Sequence, residues 1–269
     1  MIDFKILDEF ANEFKDLEKE AVKELEQKKQ LPPREAWILE RFLDGFTGRF
    51  KPATYDAITI IPTSSEIDMD TLLACKEGIN EYLLERVGLI FPVSTENAIP
   101  RIEAIREGYR ERTEKGIVSY QYDQNVRNWR KSDILPKTYI VIVDNADFFN
   151  GVVERAIGLA SPIDGALTLL DRAARKGRYL DGNYLQMTQK ERREYMKTVA
   201  AHEAYHMISR LPDIKSDTHK SRGLPDKKNC LGISQFQLPA QLCEGCTDGI
   251  RTLWYGVELR TGKRYLKDQ

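Results

Sequence analysis

The residues best suited to bind a metal ion are concentrated in one part of this chain. All three histidines of the 269 residues, and three of the four cysteines, fall between His202 and Cys246. Four cysteines are too few for a disulfide scaffold in a chain of this length, which favours metal binding by the clustered thiols. Buried imidazoles and thiols need partners, and a metal ion supplies them. The chain must therefore fold so that this stretch brings its scarce ligands together.

Two of the histidines belong to an HExxH pattern, which reads HEAYH at residues 202–206. The residues around it predict a helix over 188–210, and residues four apart on a helix lie on the same face. His202 and His206 can therefore reach one cation, and zinc suits imidazole ligands. Glu203 is offset by about 100° on the helix, where it can take a proton from a zinc-bound water and return it to a leaving amine. The pattern predicts a zinc-dependent metallopeptidase.

The neighbouring residues favour this interpretation over two polar residues on an exposed helix face. Val199, Ala200, Ala201, Ala204, Met207 and Ile208 make the predicted helix largely buried. A third ligand is then needed for a catalytic zinc. His219 is the remaining histidine and the favoured candidate, while Asp213 and Asp226 are the carboxylate alternatives.

The cysteines suggest a second metal site. Cys243 and Cys246 form a CxxC pair, a spacing that lets two thiolates bind one metal, and Cys230 lies thirteen positions before it. Three thiolates are one ligand short of a closed structural zinc site. If His219 joins them, the catalytic zinc must use a carboxylate such as Asp213. A redox pair or buried free thiols are the alternatives, and Cys75 is expected in the core.

The rest of the chain alternates strand-like and helical patterns, which predicts an α+β fold. The first fifty residues predict a helical hairpin, with helices over 2–29 and 34–46 on either side of Pro32 and Pro33. We therefore expect two regions, an N-terminal extension over 1–50 and a main domain over 51–269. The predicted strands are 57–61, 89–93, 139–143, 156–160 and 166–170, and the other predicted helices are 68–87, 101–115, 123–131 and 240–259.

These motifs resemble those of the archaemetzincins, a family of zinc metallopeptidase-like proteins. The family signature is HExxHxxGxxHC, followed by CxM and CxxC. This chain has HEAYH at 202–206, Cys-Leu-Gly at 230–232 in place of CxM, and CEGC at 243–246. Looser similarity at 121–123, 139–149, 158–160 and 165–172 extends the resemblance over roughly residues 55–260. Ser209, Pro212 and Gly232 stand where the family has Gly, the third His and Met.

The resemblance implies a fold, an activity and two metal sites. The implied fold is a metzincin-like twisted mixed sheet with a long active-site helix. The implied sites are a catalytic zinc on three histidines and a structural zinc on four cysteines. We therefore expect one catalytic Zn²⁺ in this chain, and a second, structural Zn²⁺ is the further possibility. The alternative function is a non-catalytic, zinc-stabilised protein-binding module that keeps the metzincin fold.

Composition limits the partners. A net charge of −1 excludes a globally basic nucleic-acid binder, and the arginines of 101–131 alternate with glutamates as on an ion-paired helix face. No stretch approaches the roughly 20 apolar residues of a membrane span, and the N-terminus lacks a signal-peptide pattern, so we expect a cytoplasmic protein. The expected partner is a peptide or protein substrate, bound along the strand 166–170 as at a sheet edge. The N-terminal hairpin could also serve a second copy or another partner.

Overall fold

The structure is a computed structural model of the chain. It describes residues 31–48, 55–98, 137–144, 158–161, 165–170, 178–180, 183–210, 219–220, 222–224, 230–232 and 240–267. The predicted helices over 2–29, 101–115 and 123–131 lie outside the described residues, as do Asp213 and Asp226. The division at residue 50 therefore stays a prediction.

The described elements mix helices and strands, which confirms the α+β class. The helices are α1 (Pro33–Thr47), α2 (Met69–Gly78), α3 (Gln189–Ser209) and α4 (Glu244–Thr261). Helix α2 continues as a π-helical segment (Ile79–Leu84) and a last α-helical turn (Glu85–Val87). The strands are β1 (Ile58–Pro62), β2 (Val93–Thr95), β3 (Tyr139–Asp144), β4 (Gly158–Ser161), β5 (Ala166–Leu170), β6 (Arg178–Leu180) and β7 (Asn183–Leu185).

Five of the described strands form one sheet in the order β2-β1-β3-β5-β4. The contacts β1–β2, β1–β3 and β3–β5 are parallel, whereas β4 pairs antiparallel with β5. Every residue of β1 and β3 is buried, as expected for parallel strands covered on both faces. Strands β6 and β7 form a separate antiparallel pair. The metzincin-like detail of the sheet stays a prediction.

Two sequence predictions about strands are wrong. The strand 166–170 does not lie at an edge, because β5 has β3 on one side and β4 on the other. A peptide therefore cannot pair with its backbone, and β4 is the outermost of the described strands at this end of the sheet. The predicted strand 89–93 is also displaced to Val93–Thr95, because Leu89 and Phe91 are core side chains whose apolar run resembles a strand.

Helix α1 packs directly against α4 in the core. A Cβ atom on Gly45 would overlap the Leu253 carbonyl, and one on Gly249 would overlap the Trp37 ring. Glycine is therefore required where these two helices cross, because it lets the backbones approach closely. The second helix of the predicted hairpin thus belongs to the packed core, and its Trp37 and Phe42 are buried.

Helix α3 begins at the surface and ends in the core. A capping box formed by Thr188 and Glu191 starts it, with the Thr188 backbone N–H donating to Glu191 Oε2 at 2.8 Å. All residues from Thr198 to Ser209 are buried. The helix ends at Arg210, which adopts the left-handed conformation with φ 58°. Ser209, at the position of the family's glycine, is thus the last helical residue.

A buried ion pair holds this end of α3. Arg41 Nη1 lies 3.0 Å from Asp44 Oδ2, and their side chains are 3% and 6% exposed. The other guanidinium nitrogen, Nη2, donates to the Ser209 carbonyl oxygen. Arg41 therefore links α1 to the C-terminus of the helix that carries HEAYH.

We expect Arg41→Met to lower the free energy of unfolding by about 3–5 kcal/mol, because it removes one member of a buried ion pair. Urea denaturation measures the loss. The matched control is Arg34→Met, because Arg34 forms an ion pair with Asp248 in which its own side chain is 48% exposed. That control should change stability by at most about 1 kcal/mol, and equal losses in the two variants would contradict the assignment.

Candidate metal centres

His219 and three cysteines meet in the core and could hold a metal ion. His219 Nε2 lies 3.1 Å from Cys246 Sγ and 4.0 Å from Cys243 Sγ, and the Sγ atoms of Cys230 and Cys246 are 3.7 Å apart. The four ligand atoms all lie within 4.8 Å of one another, and all four residues are buried. We call this group the His/Cys3 cluster. A tetrahedral zinc with one nitrogen and three sulfur ligands places its ligand atoms about 3.6–3.8 Å apart, which the cluster approaches.

Local backbone geometry directs the thiols inward. Cys243 is the N-cap of α4, and its Sγ accepts a hydrogen bond from the Cys246 backbone N–H at 3.5 Å. In the same way, the Gly232 backbone N–H donates to Cys230 Sγ at 3.4 Å. N–H donors and a helix N-terminus both favour the thiolate, which is the form that binds metals.

The titration of the cluster residues reflects their proximity. Hydrogen bonds with Cys230 and then Cys246 lower the pKa of Cys243 well below its usual value, while contacts with Cys230 and Cys243 raise the pKa of Cys246. Hydrogen bonds with Cys230 and Cys243 raise the pKa of His219 to about 10. A metal bound at the cluster would require thiolates and neutral imidazole, so metal binding there would depend on pH.

His202 and His206 converge at a second place, on the buried half of α3. Their Nε2 atoms lie 3.2 Å apart, and the two residues are 7% and 6% exposed. His202 Nδ1 contacts the Leu231 carbonyl oxygen at 2.5 Å. With Nδ1 donating to that carbonyl, a neutral His202 carries its lone pair on Nε2. Two nitrogens on one tetrahedral zinc lie about 3.3 Å apart, so this pair fits the ion.

Glu203 lies against the edge strand β4. A Cβ atom on Gly158 would approach both Glu203 Cδ and Oε1 to 2.8 Å, so glycine at this position leaves room for the carboxylate. Glu203 is 9% exposed. The carboxylate therefore lies between α3 and the outermost strand of the sheet, next in sequence to His202.

The structure separates the six predicted metal ligands into two groups. His202 and His206 converge on α3, while His219 joins Cys230, Cys243 and Cys246. The sequence favours His219 as the third ligand of the first group, but its Nε2 lies among the thiols, as in the alternative considered above. Cys75 is buried in the core, as predicted.

Sequence reasoning misses Leu231 as a site residue. Its backbone carbonyl, rather than its side chain, contacts His202, and a backbone contact leaves no signal in residue type. Its position directly after Cys230, a predicted metal ligand, is the one sequence feature that indicates a place near a site.

Comparisons with known proteins give little further information. No protein-family profile matches the chain, and no curated protein matches it significantly. Among solved structures, the chain is similar to a zinc-dependent peptidase from Methanocorpusculum labreanum (strain Z), with 14% sequence identity and a TM-score of 0.40. That similarity covers 72% of this chain and 100% of the other.

Fold and site together define a mixed α/β protein with a His/Cys3 group able to hold a metal ion. Within the described part of the chain, no helix is both long and apolar enough to cross a membrane.

Proposed function

We propose that the chain is a zinc-dependent metallopeptidase of the metzincin type, with its catalytic zinc on His202 and His206. The observation that carries the proposal is the convergence of the two Nε2 atoms to 3.2 Å on the buried half of α3, with Glu203 next in sequence to His202 and 9% exposed. Imidazole nitrogens are common zinc ligands, and two that lie this close together can share one cation.

Each residue has a distinct part in peptide hydrolysis. His202 and His206 would hold the zinc, and the Leu231 carbonyl keeps His202 in the tautomer that presents Nε2. Zinc bound there would supply Lewis-acid chemistry, polarising a substrate carbonyl and making a water molecule more acidic. Glu203 accepts a proton from the attacking water and returns it to the leaving amine.

The third ligand of this zinc is proposed to be a carboxylate. The chain has three histidines in all, and the third, His219, has its Nε2 among the thiols. Asp213, which follows α3 closely in sequence, is the first choice and Asp226 the second. Asp213→Ala is then expected to lower the zinc content of the folded protein, whereas Asp226→Ala is expected to leave it unchanged.

A peptide substrate is proposed to bind along β4. This strand pairs with β5 on one side, and none of the described strands pairs with its other side. An extended peptide can add to such an edge through backbone hydrogen bonds. Because Gly158 of β4 approaches Glu203, a peptide at this edge would pass close to the general base.

We expect Gly158→Ala to impair peptide cleavage without removing zinc. The added Cβ atom would overlap Glu203 Cγ and lie 2.8 Å from its Cδ and Oε1, so the Glu203 side chain would have to move. The expected loss in kcat/KM is about 10²–10⁴-fold, the usual contribution of a general acid–base catalyst. Peptide cleavage assays and elemental analysis of zinc test this prediction together. Wild-type activity in Gly158→Ala would show that Glu203 does not depend on the space left by the glycine.

We assign the His/Cys3 cluster a second, structural zinc. Four buried ligands leave no open coordination position for a substrate, which is typical of structural sites. This cluster also favours the second candidate function, a non-catalytic zinc-stabilised module. A metal bound at the cluster could stabilise the fold even if HEAYH catalyses no reaction.

Elemental analysis and a peptide-library cleavage assay on the zinc-loaded protein separate the two functions. Two zinc ions per chain with cleavage support the peptidase. Bound zinc without cleavage of any library member supports the binding module. Well-folded wild-type protein that takes up no zinc would contradict both.

A further inference from the structure

The peptide units of Leu231 connect the two candidate metal centres. The Leu231 carbonyl oxygen accepts from His202 Nδ1 at 2.5 Å, and the Leu231 backbone N–H donates to the Gln241 carbonyl oxygen at 3.2 Å. Gln241 stands two residues before Cys243. A single residue thus contacts the helix that carries HEAYH and the segment that carries the CxxC pair.

The same turn is part of the His/Cys3 cluster. Leu231 follows Cys230 directly, and Cys230 forms an isolated parallel bridge with Gln241. A metal that holds Cys230 and Cys243 would fix the turn from both sides. The direction of the Leu231 carbonyl would be fixed with it.

Tight packing prevents the turn from moving independently of α3. A Cβ atom on Gly232 would lie 3.0 Å from the Tyr205 hydroxyl oxygen and 3.3 Å from Cys246 Sγ. Tyr205 belongs to HEAYH and is fully buried, and its ring packs edge-on against His206 with centroids 5.3 Å apart. The helix, the turn and the cluster therefore share one close-packed contact, and close-packed interiors transmit displacements.

We propose that metal binding at the His/Cys3 cluster positions His202 for the second metal, so that the two centres bind their ions cooperatively. Leu231 is the positioning residue, acting through its backbone carbonyl. A hydrogen-bonded partner of a metal-bound histidine typically contributes 10–100-fold to metal affinity. The inference rests on the proposed function in that it takes His202 and His206 as metal ligands.

Zinc titration of the full chain against a competing chelator tests the coupling. Cys243→Ser removes a cluster ligand and leaves the residues at 230–232 unchanged, and it is expected to weaken zinc binding at His202 and His206 by about 10–100-fold. Cys75→Ala is the matched control, because Cys75 is buried but lies outside the cluster, and it should leave both affinities unchanged. Unchanged affinity at the histidines in folded Cys243→Ser would overturn the proposal.

A second variant keeps the test valid if Cys243→Ser does not fold. His206→Ala leaves all four cluster ligands in place, and coupling between two binding sites is reciprocal. The cluster should then lose affinity by the same factor, which Co²⁺ reports through its thiolate charge-transfer absorption. An unchanged cluster affinity would overturn the proposal.

The outcomes also separate this inference from the peptidase proposal. Coupled binding of two ions without cleavage supports the coupling and contradicts the peptidase. Independent binding of two ions with cleavage supports the peptidase and contradicts the coupling.

Discussion

Replacing Glu203 with glutamine is expected to reduce peptide cleavage by about 10²–10⁴-fold while zinc stays bound, because the amide cannot accept the proton of the attacking water. Glutamine has nearly the volume of glutamate, so it should occupy the same space beside Gly158. The reduction should appear in kcat more than in KM, because the carboxylate acts on the reacting water. Steady-state kinetics and elemental analysis on the same preparation measure both quantities.

Glu191→Gln is the matched control for this variant. Glu191 lies on the same helix, but it is exposed and its carboxylate accepts hydrogen bonds from Thr188 in the capping box. Glutamine also completes a capping box, so the helix should be preserved and cleavage unaffected. Full activity in Glu203→Gln would contradict its role as general base.

Replacing Cys246 with alanine is expected to remove the cluster metal and to lower the free energy of unfolding by more than about 4 kcal/mol, the range typical of a lost metal site. Cys246 contributes to two of the closest contacts in the cluster, at 3.1 Å to His219 and 3.7 Å to Cys230. Metal binding to a folded site adds directly to folding stability, because the unfolded chain has no preformed site. Urea denaturation with and without a chelator measures the effect.

Cys75→Ala provides the comparison. It removes an equally buried thiol from helix α2 and should cost about 1 kcal/mol, the usual effect of a point substitution. Chelator should destabilise this variant as strongly as wild type and should destabilise Cys246→Ala less, because that variant has no cluster metal to lose. Equal stability and equal zinc content in the two variants would show that the cluster holds no metal.

Local sequence patterns predict much of this fold. The sequence of helix α3 has a capping residue, a helical period and an apolar half that is buried. The helix spans 189–209 in the structure, and the prediction is 188–210. The apolar strand at 139–143 is likewise confirmed within one residue. In both places the residues within the element determine its structure, so a single sequence carries the information.

Strand order and the partner of His219 are less accessible from sequence. Which strand lies at the edge depends on how distant segments pair. The residues of β5 alone do not indicate that β4 pairs with it. His219 could reach either set of ligands by spacing, and residue spacing does not indicate that its Nε2 lies 3.1 Å from Cys246 Sγ. The predicted strands do not include β6 and β7, although the Asp181-Gly182 dipeptide between them is a strong hairpin signal.

Zinc per chain, measured in wild type and in His206→Ala, tests the central claim most directly. We predict two zinc ions in the wild-type chain, one at the histidine pair and one at the cluster, and a single cluster zinc in His206→Ala at saturating zinc. A wild-type chain that binds one zinc, retained unchanged in His206→Ala, would contradict the assignment of a metal to HEAYH and with it the proposed peptidase.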